Sequence, residues 1–314
     1  MNDMVTCSLC RRGESIYYRP YSGEYLCRSC FTRTVVARVR GTIARYRMFE
    51  YNSRIVLGVS GGKDSLGLLG ILSGIEESFP RAELMAVTID EGIGGYREEG
   101  LQLARKHCAD WGVEHVVRSF KDLYGWALDE IVRETSEEGL TPCSYCGVLR
   151  RRALNETARQ LGADRLATAH NLDDMAQTGL LNILRGDHRR LKLLAPKSER
   201  LDGLYVTRVK PYCEVPEKES ALFAFLNGVA FQTIVCPYAL GSMRNDARGF
   251  LDKMEVARPG TKYSVFRTLQ RMREIETGEK LLRGICEKCG EPTSGRICRA
   301  CELVDSIALR HRSY

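Results

Sequence analysis

The sequence contains no long hydrophobic run. Its longest apolar stretches are far shorter than the ~20 residues that cross a bilayer, and no signal-peptide pattern stands at its start. It also lacks collagen-like or low-complexity bias. These absences exclude membrane-spanning and fibrous classes, so we expect a globular, cytoplasmic protein without a membrane partner. Its 314 residues suffice for one large or two modest domains.

Two common nucleotide-binding patterns are also missing from the segment RIVLGVSGGKDSLGLL (54–69). A Walker A loop needs glycine at position 57 and serine or threonine after Lys63, but leucine and Asp64 stand there. The dinucleotide fingerprint G-x-G-x-x-G is absent too. What remains is a Gly-rich turn from an apolar strand into a helix, which binds phosphate through backbone N–H groups and the helix dipole. The adjacent carboxylate of Asp64 suggests that Mg²⁺ accompanies the phosphates.

From about residue 53 the pattern alternates between strands and helices. Strands are predicted at RIVLGVS, AELMAVTID, EHVVRSF, ADRLATAH and YVTRVKPYCEV, with amphipathic helices between them. Repeated β-α units predict an α/β fold, a parallel twisted sheet with helices on both faces and ligands at the carboxyl ends of its strands. Residues 216–275 are predicted to be mostly helical, interrupted at RPGTKYSV.

The thirteen cysteines are the compositional outlier, and ten of them form C-x2-C pairs. In a cytosolic chain of this length they indicate metal or redox chemistry rather than disulfides. Two pairs near each end have the spacing of closed, structural zinc sites. Because such short segments have little core, the metal would supply their folding energy. The predicted ligands are Cys7, Cys10, Cys27 and Cys30 in the first site and Cys286, Cys289, Cys298 and Cys301 in the second.

The chain therefore divides into five expected parts. They are an N-terminal zinc module (1–34), a basic connecting helix (35–52), a catalytic domain (53–215), a helical extension (216–275) and a C-terminal zinc ribbon (283–305).

Cys143, Cys146 and Cys236 form a further candidate set. Their spacing fits an iron–sulfur cluster, a zinc site, or a disulfide and persulfide pair. Cys108 lies at helical spacing among apolar residues, which predicts a packing role, and Cys213 lies at the end of the last predicted strand segment. The net charge of +7 is concentrated in runs such as VLRRRAL and RGDHRRLK, which permit a polyanionic partner but are also typical of solvated faces.

Five motifs, taken in order, resemble those of the tRNA 2-thiouridine synthetases, a group of the N-type PP-loop ATP pyrophosphatases. They are SGGKDS (60–65), DEGIGGYR (90–97), PCSYCGVLRRRALN (142–155), AHNLDDMAQT (169–178) and CPYA (236–239). The resemblance covers essentially the whole chain, including both zinc modules. It implies ATP-dependent adenylation of the C2 oxygen of a tRNA uridine and its replacement by sulfur delivered at a 4Fe-4S cluster. DEGIGGYR and CGVLRRRAL favour the wobble uridine over the T-loop uridine.

The resemblance also implies roles for individual residues. Cys143, Cys146 and Cys236 match the cluster ligands, and Asp174 matches a catalytic or metal-assisting carboxylate beside Asp173, with Asp64 near Mg²⁺. Arg150 occupies a position where some relatives carry a catalytic lysine; because arginine stays charged, a phosphate clamp is expected there instead. The ATP set is Ser60, Gly61, Gly62, Lys63, Asp64, Ser65, His170 and the strand end from Thr88 to Asp90, the last through its backbone.

Candidate tRNA contacts come from the basic runs. They are Arg151, Arg152, Arg185, His188, Arg189, Arg190 and Lys192. The expected cofactors are ATP, Mg²⁺, the 4Fe-4S cluster and two Zn²⁺. Expected partners are tRNA, a sulfur donor (a ubiquitin-like thiocarboxylate carrier or sulfide) and a second subunit in a homodimer or heterodimer. The alternatives are tRNA cytidine 2-thiolation, another adenylating ligase, or a zinc-ribbon tRNA-binding protein with a degenerate nucleotide site.

Overall fold

The N-terminal part of the fold is a small cysteine-rich module joined to a long helix. The computed structural model describes residues 5–77, 81–135, 140–198, 205–239, 243–275 and 284–311. Strands β1 (Tyr17–Arg19) and β2 (Glu24–Leu26) pair antiparallel and lead into helix α1 (Arg28–Arg45). The connecting helix therefore starts earlier than the predicted boundary, because Cys30 already lies in its first turn. Its buried side chains, among them Val35 and Val39, join the core of the central domain.

A five-stranded parallel sheet forms the centre of the molecule, as predicted. Its strands are β3 (Arg54–Gly58), β4 (Glu83–Asp90), β5 (Glu114–Ser119), β6 (Arg165–Ala167) and β7 (Thr207–Val209). The strand order is β5-β4-β3-β6-β7. Strand addition reverses direction between β3 and β6, so a crevice is expected beyond the carboxyl ends of these two strands.

Helices cover both faces of the sheet. In chain order they are α2 (Lys63–Glu76), α3 (Arg97–Asp110), α4 (Phe120–Tyr124), α5 (Leu128–Glu134), α6 (Pro142–Gln160), α7 (Leu172–Leu184) and α8 (His188–Lys192). Successive residues of β3 enter opposite cores: Leu57 packs with the side of α1, α2 and α7, and Val56 with the side of α5 and α6. Two-sided burial explains why β3 and β4 read as apolar runs rather than alternating ones.

The described C-terminal part adds helices α9 to α12 and a second cysteine module. These elements are α9 (Glu217–Leu226), a 3-10 turn (Pro237–Ala239), α10 (Met243–Ala257), α11 (Thr261–Ile275), β8 (Gly284–Ile285), β9 (Pro292–Thr293) and α12 (Arg299–His311). The interruption predicted at RPGTKYSV is shorter than expected, since α11 already begins at Thr261 after Gly260, whose φ is +95°. None of the helices described combines the length and the apolar character that a membrane span requires.

Candidate active site

The turn after β3 has the geometry predicted for a phosphate loop. Gly61 has φ +84°, and a Cβ there would lie 2.4 Å from the backbone of Gly100, so only glycine fits. Ser60 N donates to Ser65 Oγ at 3.1 Å, and Ser65 Oγ donates to the Gly62 carbonyl at 2.9 Å. Helix α2 has no side-chain cap at Gly62. Its first N–H groups are therefore available to an anion.

Lys63 lies between two carboxylates at the start of α2. Its Nζ is 2.9 Å from Asp64 Oδ2 and 3.0 Å from Glu217 Oε1. Burial alone would lower the pKa of Lys63, but Asp64 and Glu217 outweigh it and raise that pKa, so the side chain stays cationic. Ser220 Oγ donates to Asp64 Oδ1 at 2.5 Å. Glu217 and Ser220 both belong to α9 and were not among the residues predicted from sequence.

The two adjacent aspartates of α7 have different environments. Asp174 forms a capping box: its N–H donates to Asn171 Oδ1 at 3.0 Å, and Asn171 N donates to its Oδ2 at 3.2 Å. Burial, followed by repulsion from Asp64, raises the pKa of Asp174 to about 6. Asp173 instead pairs with Lys262 and accepts a hydrogen bond from Glu217 N at 2.7 Å. Asp174 thus faces the cleft beside Asp64, while Asp173 joins packed elements.

His170 stands at the end of β6 in a strongly positive environment. Its ring Nδ1 lies 2.9 Å from Thr168 Oγ1, and the side chain is exposed. Partial desolvation of the ring, followed by the charges of Lys210, Arg244 and Arg208, lowers the pKa of His170 below its ordinary value. The imidazole is therefore neutral at physiological pH and can donate or accept one hydrogen bond at each nitrogen, according to its tautomer.

Three thiols outside the terminal modules come together near this cleft. Cys143 and Cys146 lie in the first two turns of α6, and Cys236 directly precedes the 3-10 turn. Cys143 Sγ donates to the Tyr238 carbonyl at 3.3 Å, which joins the two segments. Burial, followed by the proximity of Cys236, raises the pKa of Cys143. All three are free thiols, whereas Cys108 and Cys213 are buried in the core.

The two terminal cysteine sets fit a tetrahedral metal. Within each set of four, all sulfur atoms lie within 4.8 Å of one another. The Sγ atoms of Cys10 and Cys27 are 3.8 Å apart and those of Cys289 and Cys298 are 3.6 Å apart, close to the ~3.8 Å implied by four Zn–S bonds of ~2.3 Å. Within the described ranges the three cleft cysteines do not form so tight a group. Their spacing is wider than a single ion requires.

Some predicted ATP and catalytic side chains are already engaged by protein groups. Arg150 was expected to clamp a phosphate, but its Nε lies 2.6 Å from Glu91 Oε1 and its Nη2 lies 2.9 Å from Cys146 Sγ. Thr88 Oγ1 is fully buried and lies 2.7 Å from His115 Nε2. Asp90 Oδ1 accepts from Gly92 N at 2.9 Å. The expected backbone contact between this strand end and the nucleotide stays a prediction.

Apart from Arg152, which is described below, the basic residues predicted to bind tRNA lie on α6, at the end of α7 or on α8. Arg185, His188, Arg189 and Arg190 lie at the end of α7 and on α8, and Lys192 ends α8. The exposed Arg151 neighbours Arg190. Arg208 Nη2 donates to the Arg151 carbonyl at 2.8 Å. Lys210, whose pKa burial lowers to about 8, extends this surface. Sequence reasoning missed Arg208, Lys210 and Arg244.

Arg152 was predicted to contact tRNA, but its side chain faces away from the other basic residues. Its Nη1 lies 3.4 Å from Cys301 Sγ, and its guanidinium stacks over the Tyr124 ring at 5.5 Å. The side chain is therefore lodged between α6 and the C-terminal module, where it serves packing rather than an RNA surface.

Comparisons with known proteins agree with the motifs. The family described as PP-loop domain matches residues 34–233, and the family described as 2-thiouridine synthetase TtuA, N-terminal LIM domain, matches residues 6–32. The chain is 36% identical to tRNA 2-thiolation protein NcsA of Haloferax volcanii, over 96% of this chain and 99% of that protein. It is 36% identical to cytoplasmic tRNA 2-thiolation protein 1 of Bos taurus, over 96% and 87% of the two chains.

A solved structure is similar over nearly its whole length. It is described as U34-tRNA thiolase NcsA from Methanococcus maripaludis with its 4Fe-4S cluster. The match has a TM-score of 0.85 and 35% sequence identity, and it covers 98% of this chain and 97% of that one. The agreement therefore includes both cysteine modules and the sheet between them.

Proposed function

The chain belongs to the tRNA 2-thiolation proteins of the PP-loop family, and we propose that it is an ATP-dependent tRNA uridine 2-thiolase. One contact carries this proposal: Gln232 N donates to the Gly61 carbonyl at 2.9 Å, four residues before Cys236. The segment that bears the third thiol is thereby attached to the phosphate loop. An enzyme that activates an oxygen with ATP and replaces it with sulfur needs these two functions side by side.

The first half-reaction uses the residues around the loop. The C2 carbonyl of uracil is a poor electrophile without a leaving group. Attack of its oxygen on the α-phosphorus of ATP forms a C–O–P bond, expels pyrophosphate and makes AMP the later leaving group. The N–H groups at the start of α2 and the Lys63 cation would offset charge on pyrophosphate. Asp64 and Asp174 are the carboxylates that would hold Mg²⁺ there, and the metal would neutralise further phosphate charge.

The second half-reaction replaces AMP with sulfur at C2. Cys143, Cys146 and Cys236 are free, converging thiols whose spacing exceeds that of a single-ion site, and three ligands leave one iron of a 4Fe-4S cluster without a protein ligand. When bound, this cluster would hold sulfide from the sulfur donor, which would add to C2 while AMP leaves with the former C2 oxygen. His170, neutral at the end of β6, is placed to hydrogen-bond the nucleotide without adding charge.

For tRNA we propose the cations around the cleft as phosphate contacts. They are Arg151, Arg185, Arg189, Arg190, Lys192, Arg208, Lys210 and Arg244. Such contacts position the RNA while the target base leaves its stack to reach the site. We propose the wobble uridine as the target, supported by DEGIGGYR and by the U34 named for the Methanococcus maripaludis protein. The T-loop uridine remains the second candidate, because the same chemistry applies to it.

We also propose a task for most of the predicted parts of the chain. The two four-cysteine modules (1–34 and 283–305) would each hold one structural Zn²⁺. The domain 53–215 would bind ATP, and 216–275 would bring Cys236 to it. We further propose a cytoplasmic location, a sulfur donor that is a ubiquitin-like thiocarboxylate carrier or sulfide, and a homodimer or heterodimer.

Two measurements test the proposal. Mass spectrometry of tRNA nucleosides from a deletion strain should reveal loss of 2-thiouridine, and digestion to anticodon and T-loop fragments should assign it to the wobble position. Anaerobically prepared protein should contain iron and two zinc ions per chain, and Cys236→Ala should lose the iron and the activity but keep the zinc. A colourless wild-type protein that binds tRNA without modifying it would instead support a zinc-ribbon binding protein with a degenerate nucleotide site.

A further inference from the structure

A buried carboxylate lies between the phosphate loop and the cleft cysteines. Glu91 follows β4 and is only 3% exposed. Its Oε2 lies 2.7 Å from Arg97 Nε, and its Oε1 lies 2.6 Å from Arg150 Nε. Leu128 N donates to its backbone carbonyl at 2.7 Å, so the main chain is fixed as well. One anion therefore joins a cation of α3 to a cation of α6.

Each of the two arginines has a second contact that leads to one half of the chemistry. Arg97 Nη1 donates to the Ser60 carbonyl at 2.7 Å, and its Nη2 donates to the Ile89 carbonyl at 2.9 Å. Arg150 Nη2 lies 2.9 Å from Cys146 Sγ. A continuous series of charged contacts therefore runs from the phosphate loop through Arg97, Glu91 and Arg150 to a cleft thiol.

Burial gives the Glu91–Arg97 part of this series energetic weight, whereas the Arg150 side chain is 44% exposed. Arg97 is 4% exposed and depends on Glu91 for a counter-charge. Removing one member of a buried pair leaves an uncompensated charge, unlike the loss of a surface pair. Hydrogen bonds to the sulfur ligands of an iron–sulfur centre also tune its reduction potential. Through Arg97, Glu91 thus holds the Ser60 carbonyl of the phosphate loop. Through Arg150, it orients a hydrogen-bond donor toward Cys146, a proposed cluster ligand.

We propose that Glu91 is a positioning residue that couples the nucleotide loop to the sulfur-holding cysteines, an inference that rests on the proposed function. Through Arg97 it fixes the backbone of Ser60, and through Arg150 it sets the charge beside Cys146. Nucleotide binding in the loop is therefore transmitted to the cysteine site. Glu91 touches neither ATP nor the target base.

The test compares Glu91→Gln with Glu214→Gln. Glu214 is a matched control because it is a largely buried carboxylate held by an arginine of α1, with its Oε1 2.6 Å from Arg45 Nη1. In cluster-free protein, Glu91→Gln should weaken binding of a non-hydrolysable ATP analogue about tenfold, because the hold on the Ser60 carbonyl loosens. Glu214→Gln should bind the analogue within about twofold of wild type.

The second readout is spectroscopic. In reconstituted, dithionite-reduced protein, the analogue should shift the electron paramagnetic resonance spectrum of wild type and of Glu214→Gln, and the shift should be lost in Glu91→Gln although iron is retained. An unshifted wild-type spectrum, or a shift that survives in Glu91→Gln, overturns the coupling. If wild type binds no iron, the proposed function fails, and the analogue affinities still decide whether Glu91 positions the loop.

Arg150→Met keeps the proposal falsifiable if Glu91→Gln does not fold. This substitution removes the contact between Arg150 and Cys146 and leaves the Glu91–Arg97 pair intact. The coupling predicts analogue affinity within about twofold of wild type in cluster-free protein, together with loss of the spectral shift. A loss of affinity in Arg150→Met would mean that Arg150 contacts the nucleotide directly, and the coupling through Glu91 would be abandoned.

Discussion

Asp174 provides a prediction in which stability and activity change in opposite directions. Its carboxyl has a pKa of about 6 in place of the ordinary 3.8. The folded protein therefore binds this proton more tightly than the unfolded chain does, and ionising Asp174 destabilises the fold. The penalty is absent below pH ~4, grows as the pH rises toward ~6, and is complete above that pH.

The magnitude follows from the difference between the two pKa values. At pH 7.5 the ionised carboxylate costs about 3 kcal/mol, and at pH 5 about half of that. Asparagine keeps an acceptor for Asn171 N but carries no charge, and the lost pair with Arg244, at 3.5 Å, is long and partly exposed. Asp174→Asn should therefore unfold at a higher urea concentration at pH 7.5, with a melting temperature raised by roughly 4 °C, while thiolation is lost.

Urea unfolding between pH 5 and pH 8 is the assay. The difference between Asp174→Asn and wild type should shrink by about half from pH 7.5 to pH 5. Asp110→Asn serves as the control, because Asp110 is an exposed carboxylate paired with Lys106. This substitution should change the free energy of unfolding by less than about 0.5 kcal/mol. A variant at Asp174 that is no more stable than wild type at pH 7.5, or whose gain is independent of pH, would refute the reasoning.

Three further predictions concern the nucleotide and tRNA surfaces. Gly61→Ala would place a Cβ 2.4 Å from the backbone of Gly100 in a left-handed turn, so calorimetry with an ATP analogue should detect no binding. Ser220→Ala removes the 2.5 Å donor to Asp64 and should raise KM for ATP about fivefold while KM for tRNA stays constant. Arg208→Gln should weaken tRNA binding and lower the salt dependence of log Kd by about one phosphate contact. Arg54→Gln, at the opposite end of the sheet, should change neither the affinity for tRNA nor its salt dependence.

The sheet and the phosphate loop were predictable because their signals are local. An apolar run, two glycines and a helical pattern over 54–69 define a strand, a turn and a helix without reference to the rest of the chain. The same holds for the C-x2-C pairs, whose spacing within each pair already suits a metal knuckle. The start of α6 was less predictable, since Pro142 begins the helix ahead of the cysteines.

The directions of the three consecutive arginines in α6 were beyond sequence reasoning. Neighbouring residues of a helix point about 100° apart, so Arg150, Arg151 and Arg152 cannot share one surface. In the structure Arg150 contacts Cys146, Arg151 belongs to the basic surface, and Arg152 packs against the C-terminal module. The three arginines, adjacent in the sequence, therefore have three different roles. Only the packing of α6 against its neighbours distinguishes these roles.

Contacts made by α9 connect the first cysteine module with Asp64. Glu219 of α9 is fully buried, and it accepts from Arg19 Nε at 2.9 Å and from Arg38 Nη1 at 3.0 Å. Arg19 ends β1 of the first cysteine module. The next residue of α9, Ser220, donates to Asp64. Because breaking a buried ion pair costs about 3–5 kcal/mol, the fold of the first module contributes directly to the placement of α9. A metal bound by the first module would therefore also stabilise the contact to Asp64, from outside the cleft.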